Sequence, residues 1–213
     1  KRSLAISQQL AVSNREVTAT NQSGRVVMAF SAKGGCGKTT VAVNLAYALS
    51  EFQGAKVALL DLDLQFGDVA IALQIDPVKT ISDAIGMQSN LDALAIQSLM
   101  VHKTQNLDIL LAPTNPTDVE FISGDFIADL ITLLRQNYDY IVVDSPPAFT
   151  DVVLRVFDVA DRTVLLTTLD MPAVKNLKMV MGTLDALKIS SKRLEFTLNK
   201  SDVKAGLTVD EVE

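Results

Sequence analysis

Short apolar runs alternate with amphipathic stretches along most of the chain. Val26–Phe30, Val57–Leu60, Leu107–Ala112, the YIVVD within Tyr138–Pro147, Arg162–Thr167 and Leu194–Leu198 are dense in Val, Ile and Leu and short. Unbroken apolar character at that length predicts strands buried on both faces. Between them, apolar positions recur at helical spacing: Val41, Leu45, Ala48, Leu49 and Phe52; Phe126, Ile127, Leu130, Ile131 and Leu134; Val174, Leu177, Met181, Leu184 and Leu187. Ser123 or Asp125 stands near the N-cap of the second of these helices, and Asp170–Met171–Pro172 starts the third. Thr150–Phe157 reads as a further helix, and Thr80–Gly86 and Leu91–Val101 as two short ones. Gly54, Asp76–Pro77, Pro113 and Pro116 punctuate the pattern. Strand–helix alternation of this kind predicts an α/β domain, a mainly parallel twisted sheet with helices on both faces. Its functional loops are expected at the carboxyl ends of the strands.

Lys1 to Gly24 is polar, and Leu4, Ile6, Leu10 and Val12 make no helical stripe. This stretch reads as a linker or tail, with a docked helix as the alternative, and residues 25–213 as the domain. The chain opens on Lys1 and its last residues, Thr208 to Glu213, begin a helix, so the sequence is read as a piece of something longer.

Composition narrows the classes. Hydrophobic residues make up 48% of 213, enough for a sizeable core. A net charge of −6 argues against a general nucleic-acid binder. Locally the sign reverses: from Lys175 to Lys204 seven basic residues face three acids, a balance of +4. That stretch reads as a solvated face, with a partner or DNA surface as the alternative. No apolar run approaches the ~18 residues of a membrane span, and no secretory pattern opens the chain. The single cysteine, Cys36, excludes an internal disulfide. The single histidine, His102, has no Cys or His neighbour in sequence and reads as structural or surface.

The chemistry concentrates in SAKGGCGKTT, Ser31 to Thr40, between the first strand and the first helix. Glycines there let successive backbone N–H groups curl around an anion, and the following helix adds its positive end. Gly34, Gly35, Cys36, Gly37, Lys38, Thr39 and Thr40 are therefore candidate phosphate contacts. Lys38 serves as a mobile cation and the Thr39 hydroxyl as a Mg²⁺ ligand. Cys36, at the mouth of the helix beside two lysines, is expected to react with thiol reagents unless nucleotide shields it. The second strand runs into DLDLQFGD, where Asp61 and Asp63 point the same way in strand geometry. One carboxylate can hold Mg²⁺ through water and the other can orient an attacking water.

An ordinary phosphate loop has glycine where Ala32 stands. KGGCGKTT fits the deviant Walker A form, KGGxGK[ST]T, with a second lysine at Lys33, and resembles the MinD/ParA class of ATPases. DLDLQFGDVA, Asp61 to Ala70, is similar to the CpaE/TadZ branch, the ATPases of Flp-type pilus assembly. The resemblance covers Val26 to Glu213. It implies ATP and Mg²⁺ as cofactors and a homodimer formed with ATP, in which Lys33 reaches the phosphates of the other subunit. It implies Asp63 at the water, Thr39, Asp61 and Asp144 around the metal, and Asn199 at the adenine. Tyr138 to Pro147, YDYIVVDSPP, resembles the class's Walker B and switch II segment. NKSD, Asn199 to Asp202, also matches the guanine-reading NKxD of GTPases, so GTP is the alternative nucleotide. Iron–sulfur relatives that share the loop need more cysteines than this chain has. The implied role is cytoplasmic, at a pole or the inner membrane face, with a pilus-assembly or other polar protein as partner and a receiver-like domain upstream. DNA and the membrane surface are alternative partners. Partition, septum or flagellum positioning, and a nucleotide-binding scaffold with little hydrolysis, are alternative functions.

Overall fold

The computed structural model describes residues 23–87 and 91–202. In chain order the strands are β1 (Arg25–Phe30), β2 (Val57–Asp61), β3 (Val101–Thr104), β4 (Leu107–Leu110), β5 (Tyr140–Asp144), β6 (Arg162–Thr167) and β7 (Leu194–Leu198). They form one sheet in the order β3-β4-β2-β5-β1-β6-β7. Every neighbouring pair is parallel except β3 with β4. The helices are α1 (Lys38–Phe52), α2 (Val69–Leu73), α3 (Ser82–Ile85), α4 (Ala93–Leu99), α5 (Gly124–Leu134), α6 (Asp151–Val159) and α7 (Met171–Ala186). Short 3₁₀ helices lie at Pro116–Phe121 and Ser191–Arg193.

The pleat sorts the core into two layers. Val26, Met28 and Phe30 of β1 face the apolar sides of α5 and α6, where Ile127, Leu130, Val153 and Phe157 are buried. Ala29, between them in sequence, faces the other layer with Ala42, Ala46 and Leu49 of α1. Period-two alternation in a strand buried on both faces leaves no polar position, which is why β1 reads as an unbroken apolar run. Phe30, Phe149 and Phe157 pack ring to ring, Phe30 and Phe157 edge-on with centroids 5.1 Å apart. Helix starts follow local chemistry: Ser123, Thr150 and Asp170 each accept a hydrogen bond from a first-turn N–H. Ser123, not Asp125, is thus the cap of α5.

Several elements differ from the sequence expectation. Leu91–Val101 is not one helix: α4 ends at Leu99, Met100 is extended, and Val101 opens β3. β3 pairs antiparallel on β4 at the sheet edge, where His102 lies opposite Asp108. His102 is hydrogen-bonded to Asp108, which also accepts from the Tyr138 hydroxyl at 2.6 Å, so the only histidine fastens an edge strand. Val69–Leu73 and Pro116–Phe121 add helical turns that no apolar periodicity announces. The expected tail up to residue 22 and the helix from Thr208 lie outside the described residues. Gly24, grouped with the tail by its polar neighbours, is buried; a Cβ there would fall 2.0 Å from the Tyr138 carbonyl oxygen.

At that amino end of the sheet Arg135 binds three chain segments. Its guanidinium donates to the carbonyls of Gly24 at 2.6 Å and Val159 at 2.7 Å. It also pairs with Asp161 at 2.9 Å, and Asp161 accepts from Val26 N. Arg135→Ala would strand two carbonyls and a carboxylate. The expected loss is about 2–4 kcal/mol of folding stability, read as a lower urea midpoint at unchanged slope.

Candidate functional site

The loops after β1, β2, β5, β6 and β7 meet at the carboxyl ends of the strands. The glycine-rich loop closes onto α1 through two residues in the left-handed region, Gly35 (φ 75°) and Gly37 (φ 93°). Gly37 is also a point of close approach: a Cβ there would lie 2.4 Å from the Asn199 amide nitrogen. The first turn of α1 carries no acidic side chain to offset its positive end. Lys38, in that turn, is only 8% exposed. Gly34, Gly35 and Thr40 are exposed, and Gly37 and Thr39 half-buried, so the loop presents its backbone to solvent around a sequestered ammonium.

Two carboxylates stand behind it. The parallel register of β2 and β5 sets Asp61 beside Asp144. Asp144 is fully buried and neither carboxylate oxygen has a hydrogen-bond partner among the described residues. Burial pushes its carboxyl up to about 6, although the Thr39 hydroxyl and the Lys38 ammonium are near enough to oppose that rise. Asp61 is pushed up to about 7, mainly by burial and then by Asp144. Its two oxygens accept from Asp63 N at 3.2 Å and Val69 N at 3.1 Å, so it braces the turn between β2 and α2. Gly67 is required there, since a Cβ would sit 2.5 Å from an Asp61 oxygen. Asp63 lies further out, half-buried, holding Phe66 N, and burial raises its carboxyl too.

A buried carboxylate with free oxygens needs a proton or a cation. Asp144 with the Thr39 hydroxyl therefore fits a Mg²⁺ that completes its shell with water and phosphate oxygens. Among the described residues no group of three His, Cys, Asp or Glu side chains makes an all-protein cage.

Lys33 is not free. Its ammonium binds Asp170 at 2.7 Å, and Asp170 is itself fixed by Thr168 Oγ1 at 2.6 Å and Ala173 N at 3.0 Å. The Lys33 ammonium holds the Asp170 carboxyl down to about 2. Asn176 of α7 adds a hydrogen bond to the Ala32 carbonyl at 3.1 Å. Sequence reasoning used Asp170 only as a helix start. Its place at the carboxyl end of β6, a strand adjacent to β1, was the signal that could have found it.

Cys36 corrects an expectation. Its thiol is 1% exposed and packs with Ala29, Ala42 and Leu166, within 3.9 Å of Thr168 Oγ1. Only its backbone faces the loop. A peptide at a helix mouth fixes where the N–H points, not where the side chain goes. Asn199 lines the cleft, and its amide donates to the Cys36 carbonyl at 2.8 Å. Lys200, which sequence reasoning weighed only for a guanine site, donates to the Gly35 carbonyl at 2.9 Å. A cleft of about 1010 Å³ joins these parts, from Asn199 and Lys200 past the loop and Asp63 to an apolar end at Val119, Ile122 and Pro147. That volume suits a nucleotide.

The family profile of the AAA domain matches residues 24–197. The septum site-determining protein MinD of Thermotoga maritima is 29% identical over 89% of this chain and 71% of its own length. The chromosome partitioning protein ParA of Myxococcus xanthus is 30% identical over 78% of this chain and 59% of its own length. A ParA family ATPase from Chlorobium tepidum superposes with a TM-score of 0.83 at 27% identity, covering 89% of this chain and 79% of that one. A putative plasmid partition protein from Borrelia burgdorferi, bound to AMPPNP, superposes at 0.63 with 27% identity, covering 82% and 73%. The chain thus spans between 59% and 71% of the two curated relatives' lengths.

The raised carboxyls set a pH dependence for the metal-free protein. Native Asp61 and Asp144 keep protons that the unfolded chain, at the ordinary 3.8, releases. The stability they contribute is complete below 3.8 and is lost as pH rises through about 6 and about 7. In chelator, melting temperature should fall by roughly 10 °C between pH 5 and pH 8. Asp144→Asn should flatten that slope and melt higher than wild type at pH 8. A slope unchanged in the variant would mean that Asp144 is ionised in the fold throughout.

Proposed function

The chain belongs to the AAA domain family, in its MinD/ParA class, and from that premise we propose a Mg²⁺-dependent ATPase that switches by nucleotide-driven dimerisation. The carrying observation is the pairing of an uncompensated helix end and left-handed glycine loop with the unpartnered carboxylate of Asp144. The AMPPNP complex of the Borrelia relative supports an adenine nucleotide. In this reading the loop amides from Gly34 to Thr40 and the Lys38 ammonium hold the phosphates. Thr39 and Asp144 would hold Mg²⁺, with Asp61 behind them, and the bound ion would supply charge neutralisation at the phosphates. Asp63 orients the water.

Lys33 is the dimerisation element. In the single subunit Asp170 satisfies its charge. A second subunit's phosphates offer a stronger anion, and Lys33 exchanges Asp170 for them. Nucleotide, dimer and the start of α7 are thereby linked. Hydrolysis removes the competing charge and returns Lys33 to Asp170.

The stretch Asp61 to Ala70 supports placing this switch in Flp-type pilus assembly, in the CpaE/TadZ branch, acting on a polar protein partner at the inner face of the cytoplasmic membrane. The second reading, septum or chromosome positioning, is favoured by the names of the curated relatives. The retained Lys33, Lys38 and Thr39 argue against a scaffold without hydrolysis.

Three variants separate the roles. Lys38→Ala removes charge-assisted hydrogen bonds and should weaken ATP binding about 10- to 150-fold by calorimetry. Unchanged affinity would sink the phosphate-loop reading. Asp63→Ala should bind ATP, hydrolyse it ~10²–10⁴-fold more slowly and accumulate as dimer in light scattering. A monomeric Asp63→Ala under conditions where wild type dimerises would move Asp63 to the interface or metal. Lys33→Ala should bind ATP as a monomer and dimerise poorly; dimerisation equal to wild type would exclude a lysine acting across the interface.

A further inference from the structure

Resting on the reading of the glycine-rich loop as a phosphate site, we propose that Lys200, with Asn199, is a positioning residue that pins two consecutive peptide planes of that loop and aims their N–H groups at the anion. A peptide unit is rigid, and its C=O and N–H point in opposite directions. The Gly35 carbonyl shares a unit with Cys36 N–H, and the Cys36 carbonyl shares one with Gly37 N–H. Lys200 Nζ holds the first carbonyl at 2.9 Å and Asn199 Nδ2 the second at 2.8 Å. Both carbonyls are thus drawn to the β7 side, and both N–H groups are turned away from it.

The pin answers a weakness of the loop. Gly35 and Gly37 flank these units at positive φ, where glycine gives little steric resistance to a peptide flip. One flip would aim a carbonyl at a phosphate. An ammonium and an amide on the outer face oppose it, and the backbone that carries them is fixed. Asn199 N donates to the Thr167 carbonyl at the end of β6, and Lys200 N donates back to Asn199 Oδ1 at 2.9 Å. Lys200 sits at φ 55°, a left-handed conformation uncommon for a lysine, which turns the chain so that its side chain returns to the loop. The corner lies at the edge of the cleft, beside the loop. It therefore acts on the phosphate end of any nucleotide, whichever base is attached.

Binding of ADP and GDP by the full chain, measured by displacement of a fluorescent ADP, tests this. Lys200→Met should weaken both by the same factor, about tenfold, leaving their ratio and the melting temperature of the nucleotide-free protein unchanged. The deficit should persist at about 0.5 M KCl, where a screening length of roughly 4 Å removes a merely electrostatic contribution. Lys200→Arg, which keeps a donor, should recover most of the affinity. A changed ADP-to-GDP ratio would make Lys200 a base reader and overturn the pin, as would wild-type affinity in Lys200→Met or a deficit that vanishes in salt. A wild-type chain that binds neither nucleotide would instead overturn the phosphate-site reading itself.

Discussion

The site depends on one costly arrangement: a carboxylate buried at the end of a central strand, neither oxygen of which has a hydrogen-bond partner among the described residues. Asp144 is carried there by the parallel register of β5 between β1 and β2. Its side chain is fully buried, with Lys38 and Thr39 of α1 beside it. Everything around it is disposed to make an ion tolerable. Lys38 is sequestered in the first turn of α1, the Thr39 hydroxyl is close, and the helix end carries no acid of its own. On the proposed reading, burial at that end of the sheet would let a cation and an anion bind together more easily than either alone.

The same constraint explains how the surrounding loops are built. Asp61, the neighbour in register, gives both oxygens to backbone N–H groups, which turns a like charge into a structural brace. Asp170 gives its oxygens to Lys33, Thr168 and Ala173. Asp61 and Asp170 are thus satisfied by the chain, whereas the buried Asp144 is not. Two tethers, Lys33 to Asp170 and Asn176 to Ala32, join α7 to the loop, so movement of the loop is felt at that helix without a separate relay.

The fold was legible because strands buried on both faces leave an unmistakable apolar signature; β7 was found by its apolar run although it is an edge strand in which only Leu194 is buried. β3 was not, because an edge strand of four residues, mostly exposed, has neither length nor contrast. The 3₁₀ turn at Pro116–Phe121 follows from an Asn115 cap and a proline, local chemistry without periodicity. At the site, the loop, Asp61, Asp63 and Asp144 were legible because each sits at a strand end beside the glycines. Partners were harder. Lys33 and Asp170 lie 137 positions apart, and Lys200 and Gly35 lie 165 apart. Spacing along the chain contains no trace of such pairs; only the strand order β1-β6-β7 brings them together.

The inward turn of Cys36 also decides how the loop ages. Its sulfur is the chain's only thiol, and it lies among Ala29, Ala42 and Leu166 rather than at the phosphates. Oxidants and alkylating agents reach it only through an opening that already parts α1 from the sheet. Chemical damage there records how often that layer comes apart, and anything that binds the closed fold would slow it. A side chain in the middle of the ligand loop thus serves as a built-in gauge of breathing in the core.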